Sequence, residues 1–212
     1  MVKRKHVPFV KDNDTLRPLL GQVRRAIVPK IGQLTNDQSE IDRISTEIIR
    51  IVNMQPPPPE PLYFSILSAL AKAILMQAET EVSARAVTAI PLSKVTIRLL
   101  SNITLFPEIL YARMVQRTGG WAVPVPVPKP QGMGEVEYAK LRGFRSEREP
   151  QKDFDTRVIG IMTLYFAILT EGVSTPMPMA WAFPRYWTYF ARLMSMSVLL
   201  RSDMALQIIA GK

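Results

Sequence analysis

At 212 residues, with 47% hydrophobic and 21% charged residues, the chain is long enough for one large domain or two small ones and too apolar to be disordered over most of its length. It has no cysteine and one histidine, His6, which excludes a disulfide scaffold, a thiol nucleophile and thiolate metal sites and argues against histidine-based catalysis. The net charge of +9 is uneven: residues 1–30 hold Lys3, Arg4, Lys5, Lys11, Arg17, Arg24, Arg25 and Lys30 against Asp12 and Asp14, a field that attracts nucleic acid, an acidic membrane surface or a phosphorylated ligand.

In chain order, residues 1–12 read as a basic, frayed N-terminus without the apolar core of a signal peptide. Asp14-Thr15 is expected to cap a helix to about Val28, closed by Pro29 and Gly32, with Leu16, Leu19, Leu20, Val23 and Ile27 in one stripe. Thr35-Asn-Asp-Gln38 reads as a capping box for a second helix, in which Ile41, Ile44, Ile48 and Ile51 recur at helical spacing. Pro56 to Pro59 form a stiff polyproline spacer.

The helix from about Pro61 to Val82 is almost all apolar and belongs in a core. Its apolar run, Leu62 to Met76, is shorter than the roughly 20 residues of a membrane span and is interrupted by Lys72, so it reads as a buried helix of a soluble protein. A lysine is seldom fully buried unless paired, and neither Glu79 nor Glu81 lies three or four residues from Lys72. Something anionic is expected to meet it, unless it snorkels or joins an internal ion pair. Glu79 and Glu81, two apart on a helix, face different ways and suit a structural pair better than an acid–base dyad.

Pro91 starts another helix with Val95, Leu99 and Leu100 inward. Pro107 opens the next, where its missing N–H costs nothing. On that helix Arg113 and Arg117 stand four apart on one face, with no acid at the same spacing on the C-terminal side. Thr118-Gly119-Gly120 ends it. The alternating Val and Pro of Trp121 to Pro130 demand an extended ribbon, and Gln131 to Lys152 reads as polar and partly mobile. Asp153 or Asp155 is expected to cap a helix to about Thr170. Trp181 to Met194 reads as an aromatic-rich helix or helix pair interrupted by Pro184, and Ser202-Asp203 as the cap of a last, truncated-looking segment. The expected fold is all-α, a HEAT-like antiparallel helical stack with an extended Pro-rich ribbon, one domain over residues 13–212. No Walker loop, G-x-G-x-x-G or G-x-S-x-G occurs.

The blocks Lys30-Ile-Gly-Gln-Leu-Thr-Asn36, Ala71-Lys-Ala-Ile-Leu-Met-Gln-Ala-Glu-Thr-Glu-Val82, Ala89-Ile-Pro-Leu92, Phe106-Pro-Glu-Ile-Leu-Tyr-Ala-Arg113, Asp153-Phe-Asp-Thr-Arg-Val-Ile-Gly-Ile-Met-Thr-Leu-Tyr165 and Tyr186-Trp-Thr-Tyr-Phe-Ala-Arg-Leu193 resemble, in order and spacing, the C-terminal domain of the Gle-one family. These are messenger-RNA export mediators of the nuclear pore. The resemblance implies a helical-repeat domain without catalytic chemistry, acting at the cytoplasmic face of the pore as a monomer or within a heterocomplex. It implies binding of inositol hexakisphosphate and of a DEAD-box RNA helicase that the domain stimulates, indirect action on RNA, and an FG-nucleoporin partner elsewhere on the domain. Carried over by position, the inositol phosphate pocket uses Lys72, Arg113 and Arg117, with Gln116 at a place often basic in relatives and Met76 where some have histidine. A further basic group comes from Arg24, Arg25 or Lys30. Charge-assisted bonds of this kind are worth about 1.5–3 kcal/mol each. For the nucleoporin, the aromatic-rich stretch with Trp181, Phe183 and Trp187 is a candidate surface, with ordinary core packing as the alternative. Other readings are a nucleoporin-binding scaffold, or direct RNA binding by the basic N-terminus, where only Phe9 could stack on bases.

Overall fold

The structure, a computed structural model, describes residues 2–119 and 128–195. Among the described residues the fold is all-α, with nine helices and no strand. They are α1 (Val2–Asp12), α2 (Leu16–Gly32), α3 (Gln38–Val52), α4 (Glu60–Gln77), α5 (Ala89–Asn102), α6 (Phe106–Thr118), α7 (Glu135–Leu141), α8 (Gln151–Glu171) and α9 (Pro184–Ser195).

The apolar helix α4 is the hub. It is contacted by α1, α2, α3 and α6, whereas in a stack of repeats each unit meets chiefly its chain neighbours. Ile66, Leu67, Leu70, Ala71 and Ile74 are fully buried. Together with the residues that follow it, α4 is long and apolar enough to cross a membrane, but 61% of that window is buried inside the fold. After its first residue, only Lys72 and Met76 are exposed on α4. Lys72, which the apolar pattern placed in a core, therefore stands on a narrow solvent-facing strip, four residues from Met76 on the same face.

Beyond α4 the chain continues in a π-helical turn, Ala78–Val82, which turns Glu79 inward. Helix α8 packs directly on this turn. The approach is so close that a Cβ on Gly160 would lie 2.1 Å from the Ala78 carbonyl oxygen.

Several local expectations are corrected. Residues 2–12 do not fray: they form α1, whose Val10 is fully buried and whose His6 stacks on Phe64 at 4.8 Å. Helix α2 is capped by Asn13, whose Oδ1 accepts from the N–H of Thr15 and of Leu16, and it runs through Pro29 to Gly32 with Ile31 buried. Leu19 falls outside its buried stripe. Helix α3 is capped by Asp37 rather than Thr35, because the Asp37 carboxylate reaches the N–H groups of Ser39 and Glu40. Pro150, not an aspartate, precedes α8, and Pro184 opens α9 instead of interrupting it.

Of residues 131–152, expected to be mobile, 135–141 form α7 and 143–149 form an ordered connection. Gly119 and Gly143 take the left-handed region, at φ 66° and 89°, and touch: a Cβ on Gly119 would meet the Arg142 carbonyl at 1.9 Å. Phe144 then stacks on Phe154 of α8 at 4.1 Å. Of the expected Pro-rich ribbon, Trp121 to Pro130, residues 121–127 lie outside the described residues, as does the last segment, and 128–130 have no regular secondary structure.

Gly160→Ala tests the closest of these contacts. Because backbone, not a movable side chain, faces the added methyl, the variant is expected to lose about 3 kcal/mol of stability in urea unfolding.

Candidate polyanion-binding site

The basic residues singled out above converge where α2, α4 and α6 meet. Arg113 is half-buried, and its guanidinium donates to Ser68 Oγ on α4. Among the described residues it has no acidic partner within ion-pair distance. Burial, then the Arg117 cation, then the Arg24 cation hold its pKa below the usual guanidinium range. Arg24 of α2 and Arg117 of α6 are thus close enough to Arg113 for their charges to oppose its own.

Lys72 lies between two tie-points of these arginines. Ser68, Lys72, Met76 and Glu79 follow one another at steps of four, four and three residues along one strip of α4 and its π turn. Arg113 meets the strip at Ser68, and Arg117 meets it at Glu79. Lys72 and Met76 occupy the interval, both exposed, and Gln116 is exposed beside Arg117 on α6. Lys72 has no ion pair among the described residues. Of the three alternatives on α2, Arg24 is the one whose charge reaches Arg113. Lys30 is instead neutralised by Glu47 of α3, and Arg25 is exposed and shares no described ion pair.

Arg117 looks both ways. Its Nη1 is 3.6 Å from Glu79 Oε1, and its side chain keeps 24% of its exposure. Glu79 itself is fully buried, with Arg145 Nη2 at 2.5 Å from Oε2 and Arg157 Nη1 at 3.5 Å from Oε1. Arg157, 4% exposed, also makes a forked pair with Glu149 at 3.0 and 3.1 Å and donates to the carbonyls of Arg117 and Gly143. Burial, outweighing the pull of Glu79, and the cations of Arg145 and Arg157 hold Arg117 below its ordinary pKa. Burial alone would raise the Glu149 pKa, but the Arg157 hydrogen bonds, the Arg145 N–H and both positive charges bring it below 4.5.

The sequence reading missed this carboxylate–arginine network. Its one signal was Glu79 at the end of an apolar helix, but the partners come from far along the chain, Arg145 being 66 residues away. The aromatic candidates divide. Trp181 is core: it is 1% exposed, its indole N–H donates to the Pro107 carbonyl, and Tyr111 and Tyr165 meet it edge-on. Phe183 is half-buried and stacked on Tyr186, while Trp187 is 58% exposed.

Comparison with known proteins gives the family and the fold. A family model described as GLE1-like protein matches residues 1–211. The mRNA export factor GLE1 of Saccharomyces cerevisiae is 32% identical over 168 residues, which are 78% of this chain and 30% of that protein. The mRNA export factor gle1 of Schizosaccharomyces pombe is 26% identical over 209 residues, 97% of this chain and 42% of the relative. The chain thus spans less than half the length of these curated relatives. Two solved structures of a singly substituted S. cerevisiae Dbp5 C-terminal domain bound to Gle1 and IP6, one of them also with a substituted Gle1, match with TM-score 0.83 at 26% identity. Each match covers 99% of this chain and 72% of the other.

The buried network gives two expected outcomes. Arg157→Met leaves Glu149 short of two donors and Glu79 short of a neighbouring cation, and is expected to cost about 3–5 kcal/mol in urea unfolding. Because the folded pKa of Glu149 is depressed, its contribution is present above the unfolded value of about 4.5 and lost as pH falls through the folded value. Thermal midpoints measured below pH 5 are therefore expected to fall less steeply for Glu149→Gln than for the parent.

Proposed function

The chain belongs to the GLE1-like protein family, and on that premise we propose that it is an mRNA-export adaptor that binds a DEAD-box ATPase and stimulates it, with inositol hexakisphosphate as the tether between them. The solved Gle1 relatives, bound to Dbp5 and IP6, support the partner and the ligand. One observation carries the site: Lys72 and Arg113, with Arg24 close by, form a basic face that no described acid neutralises. Cations brought together without a counter-charge repel one another, and a polyanion relieves that repulsion while gaining charge-assisted hydrogen bonds. Arg113 supplies a forked donor steadied by Ser68, Lys72 a mobile point charge, and Arg117 a partly neutralised third cation. Gln116 offers only a neutral donor and Met76 none, so the ligand is held with fewer charges than in relatives carrying basic groups there. The domain works at the nuclear pore, on its cytoplasmic face, as an activator rather than a catalyst.

The ligand's outer phosphates remain available to a basic patch on the ATPase, so binding favours the assembled pair without touching ATP. A nucleoporin with phenylalanine–glycine repeats is received separately on the aromatic surface of α9, where Trp187 is exposed beside Phe183 and Tyr186. Direct RNA binding by α1 is the weaker reading, since His6 stacks inward on Phe64 and leaves Phe9 as a single exposed ring where successive bases need several.

Calorimetric titration with inositol hexakisphosphate tests the site. Lys72→Glu and Arg113→Glu are each expected to weaken binding at least tenfold with native helical circular dichroism. Lys72 is the cleaner probe because it is exposed and makes no described contact that the fold depends on. Binding unchanged in either variant defeats the assignment. Stimulation of the cognate DEAD-box ATPase is expected to fall in parallel, whereas Trp187→Ser is expected to spare both and to weaken a phenylalanine–glycine peptide.

A further inference from the structure

Glu79 is the most confined charge among the described ion pairs, and the tether role does not use it. Its side chain is fully buried, and its Oε1 has no hydrogen-bond partner. Arg117 and Arg157 stand 3.6 and 3.5 Å from that oxygen, beyond hydrogen-bond length, and only Oε2 is bonded, to Arg145. Buried carboxylate oxygens are normally satisfied. The Glu79–Arg117 contact is therefore an ion pair left loose on its outer side. Arg117 has five N–H donors and makes no hydrogen bond to Glu79 with any of them, while its side chain stays 24% exposed and its charge reaches Arg113.

We infer that Glu79 is an internal counter-anion that competes with the external polyanion for Arg117. The inference rests on the polyanion reading of the Lys72–Arg113 face. Without a ligand, Glu79 and Glu149 together balance all but one of the charges of Arg117, Arg145 and Arg157. With a ligand, Arg117 turns to the phosphates, and Glu79 keeps Arg145 and Arg157. The same negative charge that stabilises the empty domain repels the incoming phosphates and detains a donor, so it sets stability of the free chain against ligand affinity. Glu79 is thus an affinity-setting residue that does not itself touch the ligand.

Glu79→Gln tests this. The amide keeps the shape and an acceptor for Arg145 while removing the charge. The free protein is expected to melt at a lower temperature, and inositol hexakisphosphate to bind three- to tenfold more tightly, with a correspondingly larger ligand-induced rise in melting temperature. Glu81→Gln removes the same charge from an exposed position on another face of the π turn and is expected to leave affinity unchanged. Equal tightening in Glu81→Gln overturns the inference, as does unchanged or weaker binding in folded Glu79→Gln. Should Glu79→Gln not fold, Glu79→Asp, which withdraws the carboxylate from Arg117 but keeps its charge, is expected to bind at least as tightly as the parent. Binding weakened threefold by Glu79→Asp would mean that Glu79 positions Arg117 for the ligand, the opposite role. A parent chain that takes up no inositol hexakisphosphate overturns the polyanion reading itself. That failure is distinct from a parent that binds while Glu79→Gln does not tighten.

Discussion

The arrangement of the helices around the basic face depends on one buried carboxylate. Glu79 is met by Arg117 from the end of α6, by Arg145 from the connection after α7 and by Arg157 from α8. A charge taken out of water must be paired, and pairing it here draws elements far apart in sequence onto the π turn that follows α4. Arg157 extends the constraint: its donors to the carbonyls of Arg117 and Gly143 fasten the end of α6 to the ordered connection. Two left-handed glycines, Gly119 and Gly143, permit that approach, and the helical Gly160 lets α8 lie against the turn.

Once α6 is fixed against α4, the character of the outer face follows. Arg113 is held at Ser68 and Arg117 at Glu79, so Lys72 lies in the interval with Arg24 close behind. The acids near this face are already engaged: Glu79 and Glu149 pair with the buried Arg157, and the half-buried Glu47 goes to Lys30. Among the described residues, Lys72, Arg113 and Arg24 are left without an ion pair. On the proposed reading a polyanion is the counterpart of this face, and because α2, α4 and α6 each supply part of it, the ligand would also clamp three helices together.

Much of this was legible in the sequence. The isoleucines of α3, the apolar run of α4 and Pro107 at the start of α6 all stand where periodicity and turn chemistry put them. Family blocks singled out Lys72, Arg113 and Arg117, which the fold brings to one strip. Other features depended on partners that the local sequence does not contain. Whether Trp181 is surface or core turns on the Pro107 carbonyl and on Tyr111 and Tyr165. The order of residues 143–149 turns on Arg157 and on Phe154, with which Phe144 stacks. Helix caps were misplaced by small steps because Asn13 and Asp37 each reach N–H groups two and three residues ahead, and a neighbouring threonine or aspartate offers the same chemistry on paper. Lys72 stands out in composition as an anomaly of the core. In the fold it is the point where the core helix surfaces between two arginines.

A crystal structure of the chain with inositol hexakisphosphate tests the account most directly. Phosphate oxygens within hydrogen-bond distance of Lys72, Arg113 and Arg24, with the Arg117 guanidinium turned toward them and Arg145 and Arg157 still on Glu79, is the result the account predicts. Phosphates seated on the Arg145 side of Glu79, with the Lys72 strip empty, would contradict it.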